Sequence, residues 1–131
     1  MNLGLLFTIS SIYLALSGLG ILIAPVTMLA GALDPTALVA IDAFRGFGGA
    51  LLGIAIILWM ARNSEASKAR DGIALGNTVG FAFATVFSVL SRLHGYPMFG
   101  WVFIVLNLVL TIGFFMASKA SMSASAASRA G

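Results

Sequence analysis

The chain has 131 residues, 60% of them hydrophobic and 8% charged, with a formal net charge of +3, no cysteine and 1 histidine. A soluble domain carries about a quarter charged residues and under half apolar ones, so this composition excludes a water-facing surface. Disulfides and thiolate metal sites are excluded with the cysteines, a metal cage has too few ligands, and the scattered Lys and Arg form no stripe for a nucleic acid.

Residues 3–24 form an uncharged apolar run closed by Pro25. At about 1.5 Å per residue it crosses a ~30 Å hydrocarbon core. It reads as a span and not a cleaved leader, because no Lys or Arg precedes it and it is long for a leader's apolar core, although Ala30-Gly31-Ala32 offers small residues beyond it. The second span is expected over residues 35–61, with Asp34 as N-cap and Pro35 at the first helical position. A polar loop follows over residues 62–71, then a third span over 72–93, a tight His94-Gly95-Tyr96-Pro97 turn and a fourth span over 98–118. The expected fold is therefore an all-α integral membrane four-helix bundle, residues 1–118. Residues 119–131 make an Ala/Ser-rich tail, expected as a frayed helix end or a tether.

Basic residues set the expected orientation. The N-terminal side, the 62–71 loop and the tail share Arg62, Lys68, Arg70, Lys119 and Arg129, against Arg45 and Arg92 on the other side. The positive-inside rule makes the richer side cytoplasmic, with both termini there.

In lipid, helices associate through small residues that admit close backbone approach and through interhelical hydrogen bonds. Gly72, Gly76, Gly80, Ala84 and Ser88 recur every four residues in the third span, and Gly46, Gly49, Ala50 and Gly53 line the second. The plainer reading is packing inside the monomer, the second span against the third; the other is a homodimer face. Asn77 and Asn107 need neighbours, because an unpaired amide in hydrocarbon is costly. Asn77 lies about 8 Å and Thr111 about 10 Å deep at about 1.5 Å per residue, which suits a mutual bond, with Asn107 nearer mid-membrane.

The polar residues at the non-cytoplasmic end form the candidate site. Asp42 and Arg45 share a helix face, and Arg92, His94 and Tyr96 lie at the same membrane end. One reading is a recess whose arginines grip a phosphate, a carboxylate or a quinone oxygen through the planar fork of guanidinium. The other is a salt-bridge network in which Asp42 ties Arg45 to Arg92. His94 reads as an interfacial histidine without a ligand, and Tyr96, Trp59 and Trp101 fit an aromatic belt. The chain offers no second histidine, no acid paired with a nucleophile and no mid-membrane charge, which leaves neither catalysis nor transport a constellation to use.

Arg45-Gly46-Phe47-Gly48-Gly49-Ala50-Leu51-Leu52-Gly53 and Ser91-Arg92-Leu93-His94-Gly95-Tyr96-Pro97, with four spans, resemble a bacterial family of small inner-membrane proteins of unknown function akin to the DoxX-like group. The resemblance implies a four-helix bundle with an arginine near the start of the second span and another near the end of the third, and it carries over no catalytic residue. The function expected is a noncatalytic accessory or assembly subunit of a larger membrane complex, respiratory or photosynthetic. The alternative is an outer-leaflet binder of an anionic lipid or quinone through Arg45 and Arg92. No metal or other cofactor is expected beyond such a bound lipid or quinone. The partners expected are membrane lipids, other membrane subunits or further copies of the chain.

Overall fold

The computed structural model describes residues 2–29, 33–95 and 100–130, with backbone alone at 125, 126 and 128–130. Five helices account for most of it: α1 (Leu3–Ile23), the single turn α2 (Pro25–Met28), α3 (Leu38–Ala61), α4 (Lys68–Leu93) and α5 (Trp101–Ala130). The four long helices each carry an apolar window long enough to cross a membrane, at Leu3–Ile23, Leu38–Ala61, Lys68–Leu93 and Trp101–Ala124. The protein is thus an all-α, multi-pass membrane protein.

The helix boundaries differ from the sequence expectations for local reasons. Asp34 does not cap α3. Its Oδ1 accepts from the Thr36 N–H and hydroxyl, both at 2.8 Å, and the Ala37 N–H returns to the Asp34 carbonyl at 3.1 Å. The carboxylate therefore organises a turn around Pro35, and the helix begins only at Leu38. The Thr36 N–H and then its hydroxyl hold the Asp34 carboxyl below the usual carboxylate range. The third span starts earlier than hydropathy suggests: Ser67 caps α4 by accepting from the Arg70 N–H at 3.2 Å, so residues 68–71 are helical despite their charges. Gly95, at φ +82, closes α4 in the left-handed conformation that glycine adopts without strain. The tail, expected as a frayed helix end or a tether, continues α5 to Ala130, since alanine is the best helix former and Ser121 is anchored to α4.

α1 packs antiparallel on α3 along a seam of small residues spaced seven apart. Gly4 meets the Arg62 carbonyl, the Ser11 hydroxyl donates to the Ala55 carbonyl at 2.7 Å, and Gly18 meets the Gly48 carbonyl. A seven-residue repeat keeps one stripe of a helix facing its neighbour, as in a coiled coil. α4 and α5 form the second antiparallel pair, and α1 also reaches α5. Where α1, α4 and α5 meet, aromatic rings fill the core. Phe114 stands 5.7 Å from Phe7 and 5.9 Å from Phe81, and Tyr13 stands 6.2 Å from Phe81 and 5.5 Å from Phe103. A smaller cluster of Leu29, Leu33 and Ile41 joins the α2 segment to the start of α3.

Candidate functional site

The residues expected to converge at the non-cytoplasmic end fall into two separate pairs. Asp42 and Arg45, one turn apart on α3, touch at 3.5 Å and are both largely exposed. Arg92, at the end of α4, lies over the Trp101 ring at 4.9 Å, on the first turn of α5. No hydrogen bond or ion pair joins Asp42 to Arg92 among the described residues. The expected three-residue network is therefore absent, because α3 packs on α1 and α2 and does not form a packed pair with α4. His94 occupies the C-cap of α4 and is exposed. Tyr96 lies outside the described residues. Among the described residues no group of His, Asp and Glu is arranged to hold a metal ion.

Buried polarity is organised around Asn107, which the sequence marked as needing a neighbour, and Tyr13, which the sequence reading did not single out. Asn107, 1% exposed on α5, donates from Nδ2 to the Tyr13 hydroxyl at 3.2 Å and to the Phe103 carbonyl at 2.8 Å. The Tyr13 hydroxyl lies 3.4 Å from Asn107 Oδ1. This pair fastens α1 to α5 deep in the bundle. A tyrosine in the middle of a charge-free run was the available signal, since its hydroxyl needs a partner when buried. Asn77 and Thr111 do not bond each other. Asn77 donates to the Ile73 carbonyl and Thr111 to the Asn107 carbonyl, each at 2.8 Å within its own helix.

The glycines chosen by four-residue spacing do not pack inside the monomer. A Cβ added at Gly46, Gly49, Gly53, Gly72, Gly76 or Gly80 meets nothing within 4 Å. Along α4 the row turns inward: Gly72, Gly76 and Gly80 are exposed, Ala84 is half-buried and Ser88 is buried. The reason is geometric, because four residues advance an α-helix by about 40° more than one full turn. The close approaches belong instead to Gly4, Gly18 and Gly48, whose added Cβ atoms would stand 2.8, 2.7 and 2.8 Å from a backbone oxygen of the facing helix. Two outward glycine faces result, one on α3 and one on α4, each flanked by large apolar side chains such as Phe47 and Ile54 or Leu75 and Phe83.

No family model, curated protein or solved structure matches the chain, so no comparison with known proteins supports the resemblance to the DoxX-like group.

Proposed function

We propose that the chain is a noncatalytic accessory subunit of a larger bacterial inner-membrane assembly, respiratory or photosynthetic, docked through the outward glycine faces of α3 and α4. The observation that carries this reading is the open space at Gly46, Gly49, Gly53, Gly72, Gly76 and Gly80. Glycine in a helix interior costs about 1 kcal/mol relative to alanine, and lipid tails gain nothing from its missing side chain. A neighbouring transmembrane helix does gain, because close backbone approach improves van der Waals packing where hydrophobic burial gives no drive. The short connection at residues 62–67 and the one-turn α2 leave most of the surface on the membrane-spanning helices.

In this reading both termini and the 62–67 loop face the cytoplasm, following the excess of Arg62, Lys68, Arg70, Lys119 and Arg129 over Arg45 and Arg92. The test is purification from the native membrane in mild detergent, followed by mass spectrometry of wild type and of Gly49→Leu and Gly76→Leu. Stoichiometric partner subunits are expected with wild type, and loss of them with a still-helical variant. A bare wild-type monomer, or full retention of partners by both variants, refutes the reading.

A further inference from the structure

Three buried polar atoms lack hydrogen-bond partners among the described residues: Arg70 Nε, Ser118 Oγ and Ser10 Oγ. The two hydroxyls depart from the habit of this chain. Thr8, Thr78, Thr85, Ser88 and Thr111 each donate to the carbonyl four residues back, and Ser11 donates across to α3. Ser118 is 3% exposed and Ser10 is 0% exposed.

Arg70 and Ser118 lie toward the same end of the α4/α5 pair. The Arg70 guanidinium lies 5.8 Å from the Phe7 ring centroid, and Phe7 stands 5.7 Å from Phe114. Ser118 follows Phe114 by one turn of α5, on the face where the Ser121 hydroxyl donates to Asp71 Oδ1 at 2.7 Å. Ser10 follows Phe7 by one turn of α1. Asp71, the nearest carboxylate in sequence, is thus engaged with α5, and no ion pair reaches Arg70 among the described residues. Arg70 is half-buried with its Nε enclosed, in the first turn of α4. A cation set into the edge of a membrane bundle with no countercharge is costly. The amides at the start of a helix also favour an anion there.

We propose that this end of the α4/α5 pair binds the phosphate of a membrane lipid, with Arg70 gripping it and Ser118 as a second donor. The phosphate supplies the missing negative charge and accepts several hydrogen bonds, and a planar guanidinium meets it with two parallel ones. A lipid is the source because Arg70 sits where a membrane-spanning helix begins, level with headgroups. The site is at the opposite end of the bundle from Arg45 and Arg92 and is independent of any docking through the glycine faces.

The test uses the full chain in nanodiscs of phosphatidylcholine doped with phosphatidylglycerol, extracted into mild detergent and examined by native mass spectrometry. Wild type is expected to keep a bound phospholipid. Arg70→Gln is expected to lower its occupancy about fivefold, the effect of removing one basic residue from an anionic surface. Ser118→Ala is expected to lower occupancy about twofold to threefold by removing one hydrogen bond. Lys119→Gln, which changes an exposed charge over the Phe115 ring, is expected to retain wild-type occupancy. Arg70→Lys guards against misfolding, since it keeps the charge and loses only the fork, and it is expected to fall between wild type and Arg70→Gln. Wild-type occupancy in both Arg70 variants, or a loss in Lys119→Gln equal to that in Arg70→Gln, overturns the site. Displacement of the lipid by millimolar inorganic phosphate overturns the lipid assignment in favour of the free anion.

Discussion

Gly48 is the position where a single methyl group tests the packing of the whole α1/α3 pair. A Cβ there would stand 2.8 Å from the Gly18 carbonyl oxygen, 3.0 Å from the Leu22 nitrogen and 3.3 Å from the Ile21 Cβ. Two of these are backbone atoms of a helix, so no rotamer relieves the clash, and α3 must retreat by about half an ångström to reach a normal C···O separation of about 3.3 Å. Overpacking of this kind costs about 1–3 kcal/mol. The retreat also strains the neighbouring seam bond from the Ser11 hydroxyl to the Ala55 carbonyl, now 2.7 Å. Gly76→Ala is the matched control: its Cβ enters open space, and alanine gains about 1 kcal/mol of helix propensity. Both variants gain the same propensity, so reversible unfolding in mixed micelles, followed by circular dichroism, should place Gly48→Ala below Gly76→Ala by the overpacking cost alone, about 1–3 kcal/mol. Equal stability of the two variants, or a Gly48→Ala more stable than Gly76→Ala, refutes the assignment of Gly48 to a closed contact and Gly76 to an open face.

Other contacts give further expectations. A double-mutant cycle of Tyr13→Phe and Asn107→Ala should return a coupling of about 0.6 kcal/mol and no more than about 1.7, the range for hydrogen bonds between membrane helices; zero coupling means that the α1/α5 bond does not form. Ser121→Ala should free the end of α5 from Asp71, raising amide hydrogen exchange over residues 122–130 about tenfold while residues 103–115 stay protected. Asp34 has its carboxyl pKa lowered by the Thr36 N–H, so the turn it organises is fully present above the ordinary aspartate value of about 3.9 and is lost as pH falls through the lower folded value. The Thr36 amide chemical shift in micelles should report that loss, and Asp34→Asn, which keeps an acceptor without a titrating charge, should abolish the pH dependence.

Hydropathy made the spans legible because a ~30 Å hydrocarbon core demands a long uncharged run whatever the helices pack against. The connections were less legible. Lys68, Arg70 and Asp71 look like loop by charge, yet a serine cap one residue earlier recruits them into α4. Asp34 looked like a cap, yet the Pro35 that follows turns its carboxylate toward Thr36. The packing face was misread for a different reason. Glycines four apart are conspicuous, but the seam in use is Gly4, Ser11 and Gly18 against Gly48, Ala55 and Arg62, a seven-residue repeat with one serine and one alanine hidden in it. The charged residues were legible as markers of the membrane ends and not in their partners: Arg45 meets Asp42, whereas Arg62 lies over Trp59, Arg70 over Phe7 and Arg92 over Trp101, none of these three in an ion pair among the described residues.

α1 packs on two sides, against α3 and against the α4/α5 pair, with faces of opposite character. Toward α3 it presents Gly4, Ser11 and Gly18, a stripe with almost no volume that works by backbone approach. Toward α4 and α5 it presents Phe7 and Tyr13, whose rings fill a three-helix junction and whose one hydroxyl is fixed by Asn107. A close-packed aromatic junction resists displacement, because its rings have no alternative arrangement of equal contact. The seam of small residues holds differently, by backbone approach at Gly18 and Gly48 and by the bond from the Ser11 hydroxyl to the Ala55 carbonyl. The open face of α3, at Gly46, Gly49 and Gly53, is therefore backed by the most extensive helix pair of the fold, and α1 in turn ties that pair to α4 and α5 through the rings of Phe7 and Tyr13 and the Tyr13–Asn107 hydrogen bond.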